Sequence, residues 1–512
     1  ISENITKVEN GHYEMPLPLK STSVRMPDNK SLALKRLWQL KKRFERDPAF
    51  AADYNEFMCD VIADCAEKVG PSVGSIERGW VNFIPHSGVY DPHKPGKIRV
   101  VFDCAAEYGY FIFRKETVAL SVDIQGMYHQ FYVNEKFRDF LRFLWWEEND
   151  PNKAVCEYRM KVHIFGAVSS PACANFGLRR AADDGEAEFG KDAADFIRQD
   201  FYVDDGVTPV ENSDTAISLL NRCKGMCAKA GLKLHKLASN DQQVLMNVAP
   251  DERSKGMQIV SGQNNRHAER ILDDSFYFRL QLNDAPLTRR GILSTISSLY
   301  DPLSFIGPVM LLLQQLCRDK VDWDDELSHE VRMRWEKWRN KLVHLGDITV
   351  KRCFHPHGFG KIKSVELHHF SDASTIGYGQ CSYIRLTNVL NKFVIGKSRV
   401  APLKPVTVPR MELTAAVVSA RMSRYLRDHI RFNDYDEYFW TDSKVVLGYI
   451  GNDARKFQTF VANRLQTIKE NTNEHEWRYV KTEENPSDCA SRGMKPEDLT
   501  MNSIWLRGPN FL

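Results

Sequence analysis

Two adjacent acids stand between apolar residues in Phe201-Tyr-Val-Asp-Asp-Gly206. Burying such a pair is costly unless positive charge sits on it. At the tip of a β-hairpin both carboxylates can instead face hard divalent cations. A third acid is needed from a neighbouring strand, and Asp123 in Leu120-Ser-Val-Asp-Ile-Gln-Gly-Met-Tyr-His-Gln130 supplies it. Asp123, Asp204 and Asp205 are therefore predicted to hold two Mg²⁺ about 4 Å apart, clamping the attacking and leaving oxygens of phosphoryl transfer. Asp-Gly alone is a common acidic turn, so the strand-borne Asp123 is what lifts the motif above that.

A second set lies downstream. Asp372 ends a strand in Phe370-Ser-Asp-Ala-Ser-Thr-Ile-Gly-Tyr-Gly379, where small residues suit a closely approaching strand. Glu412 falls early in a helix, Asp442 closes the strand Tyr438-Phe-Trp-Thr, and Asp488 opens a helix after the Asn485-Pro turn. Singly these are bland, because an Asp at a helix start is usually a cap. In the order Asp, Glu, Asp, Asp, on strand, helix, strand and helix start, they are specific as a set, and the ribonuclease H fold that this order resembles implies two Mg²⁺ held by four such carboxylates, with Mn²⁺ as the alternative ion. Ser443 and Arg492 are expected to flank this site, and Asn485 to position Asp488.

These acids need a scaffold. The pattern predicts an extended start and helices over 1–70, and β-rich segments over 71–135. A helix over 172–198 follows, then a strand pair from Phe201 to Val210 and a helix from Ala216 to Ala230 that stops at Gly231. Residues 240–290 are polar and weakly patterned, and 291–345 are helical. Strands from Val365 to Ile384, a helix from Arg410 to His429 and a strand from Tyr438 to Thr441 then complete the reading. The fold class is α+β or α/β multidomain. The expected division is 1–115, 116–240, 241–350, 351–500 and 501–512.

The chain has 512 residues, 43% of them apolar, enough for large cores. Lys plus Arg number 70 and Asp plus Glu 67, a net charge of +3 that excludes nucleic-acid binding by bulk charge alone. Basic residues must then be concentrated, as in Leu34-Lys-Arg-Leu-Trp-Gln-Leu-Lys-Lys-Arg-Phe44 or Arg289-Arg290, where phosphate contact competes with a solvated helix face. Trp145 and Trp146 offer a base-stacking platform or core packing, the latter favoured. The eleven Cys form no CxxC pair, and Cys223 with Cys227 finds no partners for a zinc set, so reduced intracellular thiols are expected. No apolar run reaches membrane-spanning length. The chain starts with Ile and reads as part of something longer.

Tyr202-Val-Asp-Asp205, with Asp123 followed by Tyr128-His-Gln, resembles the catalytic motifs of reverse transcriptases. The resemblance implies a right-hand polymerase of fingers, palm and thumb. Tyr128 would crowd a ribose 2′-hydroxyl, and Gly166, in Phe165-Gly-Ala-Val-Ser-Ser-Pro, would let the backbone approach the nucleotide. Arg99 would contact the triphosphate, and Lys236 the leaving pyrophosphate. The four downstream acids resemble the ribonuclease H fold, a mixed sheet reached here through a helical connection. Pro286-Leu-Thr-Arg-Arg-Gly-Ile-Leu-Ser-Thr, Tyr300-Asp-Pro-Leu, Val365-Glu-Leu-His-His-Phe-Ser-Asp372 and Pro402-Leu-Lys-Pro-Val-Thr-Val-Pro narrow the likeness to the Pao/BEL lineage of long-terminal-repeat retrotransposons.

That resemblance implies RNA template, DNA primer, dNTPs and RNA–DNA hybrid as partners, recognised by shape and 2′-hydroxyls. It implies no membrane partner and an intracellular, cytoplasmic particle with nuclear access. A protease and an integrase would flank this portion, and neither is evident in the sequence. A peptidase would need an Asp-Thr-Gly or Asp-Ser-Gly turn, which does not occur. Two departures stand out: a short connection from Asp103 to Asp123, with Ala105 to Phe113 replacing a longer segment, and no Leu-Gly primer-gripping turn near Ala268-Glu-Arg-Ile271. They keep open a second reading, a decayed element that binds nucleic acid without polymerising.

Overall fold

The computed structural model describes residues 5–18, 29–70, 112–254, 285–297, 301–316, 322–355, 359–386, 390–430, 434–452 and 457–512, with short stretches within 81–99 and at 274–278 and residues 299 and 432. Trp80, Asp103, most of the Ala105 to Phe113 segment, the Ala268 to Ile271 turn and Tyr300 lie outside the described residues.

Contacts divide the chain into two compact units. One comprises Ile1–Ala106, Leu120–Thr208 and Ser213–Ile259; the other comprises Glu107–Ala119, Pro209–Asn212 and Val260–Leu512. In the first, a four-stranded sheet runs in the order Phe201–Tyr202, Asp205–Val210, Val118–Ile124, Leu234–Ser239. Helices Ser170–Phe189 and Ser213–Lys229 pack together, and Leu178, Ala181 and Ala182 are buried on one and Leu219, Leu220, Cys223 and Met226 on the other. Gly185 allows that approach, because a Cβ there would lie 2.6 Å from Met226 Cγ. The helix expected over 172–198 is two helices, broken at Gly190, whose φ of +91° suits no other residue well.

Trp145 and Trp146 on the Arg142–Trp146 strand are fully buried, with Phe44, Phe50 and Tyr54 against them. Tyr54 stacks on Trp145 at 5.8 Å between ring centroids. They are core, so the stacking-platform reading falls. Lys35, Arg36, Lys42 and Arg43 of helix Lys30–Arg46 are exposed, whereas Arg290 is engaged by Asp324 at 2.7 Å.

The second unit is built on a five-stranded sheet in the order Leu390–Val400, Gly377–Leu386, Val365–Ala373, Asp436–Thr441, Trp477–Tyr479. The first three are antiparallel and the last two join in parallel. Parallel pairing requires a crossover, which helix Val408–Ile430 makes with Leu413, Ala416 and Ala420 facing inward. The main core of the unit takes in Ile292, Leu313 and Trp335 of the helical region as well as the sheet. Trp505, fully buried, sits on Gly396 and Phe393 and donates from Nε1 to Phe305 O at 2.8 Å. Arg114 is also fully buried; it donates to Arg352 O and Phe393 O at 2.9 and 2.8 Å, and burial pulls its guanidinium down to about 9. Among the described residues no helix is long and apolar enough to cross a membrane.

Replacing Trp505 by Ala should cost the second unit about 3–5 kcal/mol, seen as a lower urea midpoint; a loss below about 1 kcal/mol would place residues 501–512 outside the core.

Candidate active sites

Register brings the upstream acids together. Phe201 pairs with Gly206 and Tyr202 with Asp205, leaving Val203 and Asp204 as the hairpin tip. Val203 holds a φ of +55°, an uncommon conformation for a β-branched residue. Gly206 is required beside it, since a Cβ would lie 2.5 Å from the Phe201 ring. Ile124 N donates to Asp204 O at 2.9 Å, which ties the tip to the strand that carries Asp123. Burial raises the Asp204 carboxyl above the usual range, and the Asp123 charge adds to it. Asp205 is raised by burial, then by Asp204 and Asp123.

Asp123 has partners the sequence reading did not assign. It faces His235 across the antiparallel pairing with Leu234–Ser239, and His235 Nε2 donates to Asp123 Oδ1. Lys236 Nζ donates to Oδ2 at 2.6 Å. Successive strand residues normally point to opposite faces. Here the register shifts between His235 and Ala238, and Lys236 adopts a φ of +50°, so both side chains reach one carboxylate. The carboxylate oxygens of Asp123, Asp204 and Asp205 are hard donors by type, and Lys236 occupies one of them.

Of the other expected residues, Tyr128 is buried with its ring edge-on to Phe165 at 4.7 Å. Gly166 follows with a φ of +94°, a left-handed conformation that favours glycine. Arg99 lies on the Ile98–Arg99 strand beside Val89–Tyr90, and its side chain is outside the described residues.

The downstream acids converge on one edge of the second sheet. Ser371 pairs in parallel with Thr441, so Asp372 and Asp442, each one residue further, leave the carboxyl ends of adjacent strands side by side. Asp372 also pairs with Gly379. A Cβ on Gly379 would lie 2.7 Å from Ala490 Cβ, so glycine is what lets helix Ser487–Arg492 rest on the sheet there. That helix brings Asp488 and Ser491. Ser491 Oγ, fully buried, donates to Asp372 Oδ2. Ser443 Oγ donates to Glu412 Oε2 at 2.6 Å, and Thr482 Oγ1 to Asp442 Oδ2 at 2.8 Å. Arg492 Nε pairs with Asp488 Oδ1. Asn485 Nδ2 donates to Ser371 O at 3.3 Å, and Asp488 N to Asn485 O at 3.1 Å, so Asn485 fixes the turn under Asp488.

Burial pushes Asp372 up to about 7, with the Asp442 and Asp488 charges adding to it. Glu412 is raised by burial and then by Asp442. Carboxylates that raise one another are the donor chemistry a divalent cation satisfies. Among the described residues, no three His, Cys, Asp or Glu side chains stand close enough together to hold a metal ion as they are placed. Ser491 and Thr482 were missed in the sequence; the spacing of Ser491, one helical turn after Asp488, was the available signal.

Residues 288–443 match the model of the Pao retrotransposon-like RNaseH-like domain. The chain carries that domain. Asp372, Glu412 and Asp442 fall inside the matched stretch of the RNaseH-like domain, and Asp488 beyond it. No curated protein matches the chain. Among solved structures it is similar to a foamy viral protease-reverse transcriptase in complex with double-stranded DNA, with 13% identity over 91% of this chain and 84% of that one and a TM-score of 0.48. A likeness at that level decides neither fold nor activity.

Since Asp372 ionises near 7 rather than at the ordinary value of 3.8, the stability that its protonated form gives the RNaseH-like domain is full below about pH 4 and lost as pH rises through 7. In chelator at pH 8, Asp372→Asn should therefore stabilise the domain by about 2 kcal/mol, and at pH 4 by almost nothing. Equal midpoints for variant and wild type at both pH values would contradict the crowding.

Proposed function

We propose that the RNaseH-like domain hydrolyses the RNA strand of an RNA–DNA hybrid, and that the upstream carboxylates extend a DNA primer on an RNA template from dNTPs. The observation that carries the nuclease reading is the parallel register of Ser371 on Thr441, which sets Asp372 beside Asp442. Asp372, Glu412, Asp442 and Asp488 would hold two Mg²⁺. Bound there, the ions supply an activated water and stabilise the leaving oxygen.

The chain's own groups do the positioning. Ser491, Ser443 and Thr482 each hold one oxygen of Asp372, Glu412 and Asp442. These bonds fix the carboxylates before substrate arrives, as preorganised sites require. Upstream, Asp123, Asp204 and Asp205 would bind the polymerase ions, with Tyr128 and Gly166 shaping the nucleotide pocket and Arg99 and Lys236 on the triphosphate. Copying RNA leaves a hybrid, and a nuclease in the same chain meets it at high effective concentration. The Pao/BEL resemblance and the hairpin register support this pairing.

Asp442→Asn should lower hybrid cleavage by about three orders of magnitude while hybrid binding persists; cleavage that survives the change would remove the assignment. Primer extension on RNA with Mg²⁺ should be seen for the wild type and lost in Asp204→Asn. Hybrid binding with neither reaction would make the chain a nucleic-acid-binding fold without catalysis.

A further inference from the structure

We propose that Lys236 is the resident counter-cation of the upstream carboxylate set, and that a divalent ion binds there only as this lysine leaves. The inference rests on the polymerase reading of Asp123, Asp204 and Asp205.

Three observations carry it. First, both oxygens of Asp123 are engaged, Oδ1 by His235 and Oδ2 by Lys236 at 2.6 Å. Lys236 and a metal ion on Oδ2 would bring two cations to one oxygen, so they compete. Second, the backbone departs from a regular strand to put Lys236 there. The φ of +50° and the register shift after His235 turn onto one face two residues that a plain strand would send to opposite faces. Third, the two partners differ in how firmly they are held. The His235 side chain is 24% exposed, directly opposite Asp123 in the register, whereas Lys236 is 52% exposed. A half-exposed ammonium on a flexible stem leaves easily. His235 can stay and keep the carboxylate oriented.

Together these make an exchange. Without a cation, Lys236 offsets part of the charge that Asp123 imposes on Asp204 and Asp205. With a cation on Asp123, the ammonium is released towards solvent. There it is available to a polyanion such as a triphosphate, the role the family resemblance gives to this position. One residue then serves first as placeholder and afterwards as phosphate contact.

The test is a Mn²⁺ titration of the full chain followed by electron paramagnetic resonance. Asp372→Asn and Asp442→Asn are present in every sample to silence the second site. Lys236→Ala should tighten Mn²⁺ binding about two- to five-fold, the range expected from removing a half-exposed ion pair. Lys236→Arg, which keeps the charge, should bind as the parent does. An unchanged unfolding midpoint for Lys236→Ala separates the effect from a change of fold, and Lys236→Gln repeats the test should Ala disturb it. Unchanged or weaker binding in both neutral variants would overturn the proposal. Asp204→Asn and Asp205→Asn distinguish the two failures. If they weaken Mn²⁺ binding while Lys236→Ala does not tighten it, only the counter-cation role falls. If they leave Mn²⁺ binding untouched, the polymerase reading falls with it.

Discussion

Like charges held side by side are the constraint around which the second unit is built. The parallel register of Ser371 on Thr441 leaves Asp372 and Asp442, each one residue further, at the ends of neighbouring strands. Burial pushes the Asp372 carboxyl up to about 7, and the charges of Asp442 and Asp488 add to that rise. A core that runs from the helical region through the sheet to Trp505 keeps the strands in that register against the repulsion. Gly379 admits the helix that adds Asp488, and the hydroxyls of Ser491, Ser443 and Thr482 fix the direction of three carboxylates. Charge crowding that the fold sustains is a mark of functional sites.

The upstream set meets the same problem differently. There the third carboxylate already accepts hydrogen bonds from the chain's own His235 and Lys236, and the left-handed backbone at Lys236 is the local cost. The two carboxylate sets thus differ in that the upstream one carries a cationic partner on Asp123, although burial and neighbouring charge still raise its Asp204 and Asp205. On this account the two would also differ in how a divalent cation enters. It relieves repulsion downstream, and it displaces a partner upstream.

Much of this was legible in the sequence where side-chain period and residue type agree. The strands from Val365 to Ile384, the crossover helix and the hairpin from Phe201 fall where patterning puts them: the two long strands are almost continuously buried, and the helix buries a broad apolar stripe. The acids could be assigned to strand ends and helix starts because those positions follow from local signals. What patterning could not show is pairing between distant segments. His235 and Lys236 reach Asp123 through a register shift that no local signal marks. Arg114 is buried on backbone carbonyls with no acid beside it in sequence to announce it. Gly190 splits what reads as one helix, since Gly inside an Ala-rich run looks tolerable until its φ is known. Trp145 and Trp146 carry aromatic faces suited to bases or to a core, and only the neighbours Phe44 and Tyr54 decide between them.

The central claim is that the fold crowds Asp372 against Asp442 and Asp488 and that a divalent cation relieves the crowding. Proton release on Mg²⁺ binding, measured by titration calorimetry in buffers of differing ionisation enthalpy, tests it most directly. With Asp372 half protonated near pH 7, Mg²⁺ should displace a fraction of a proton there and none at pH 9. Mg²⁺ binding with no proton release at either pH, or no Mg²⁺ binding at all, would contradict it.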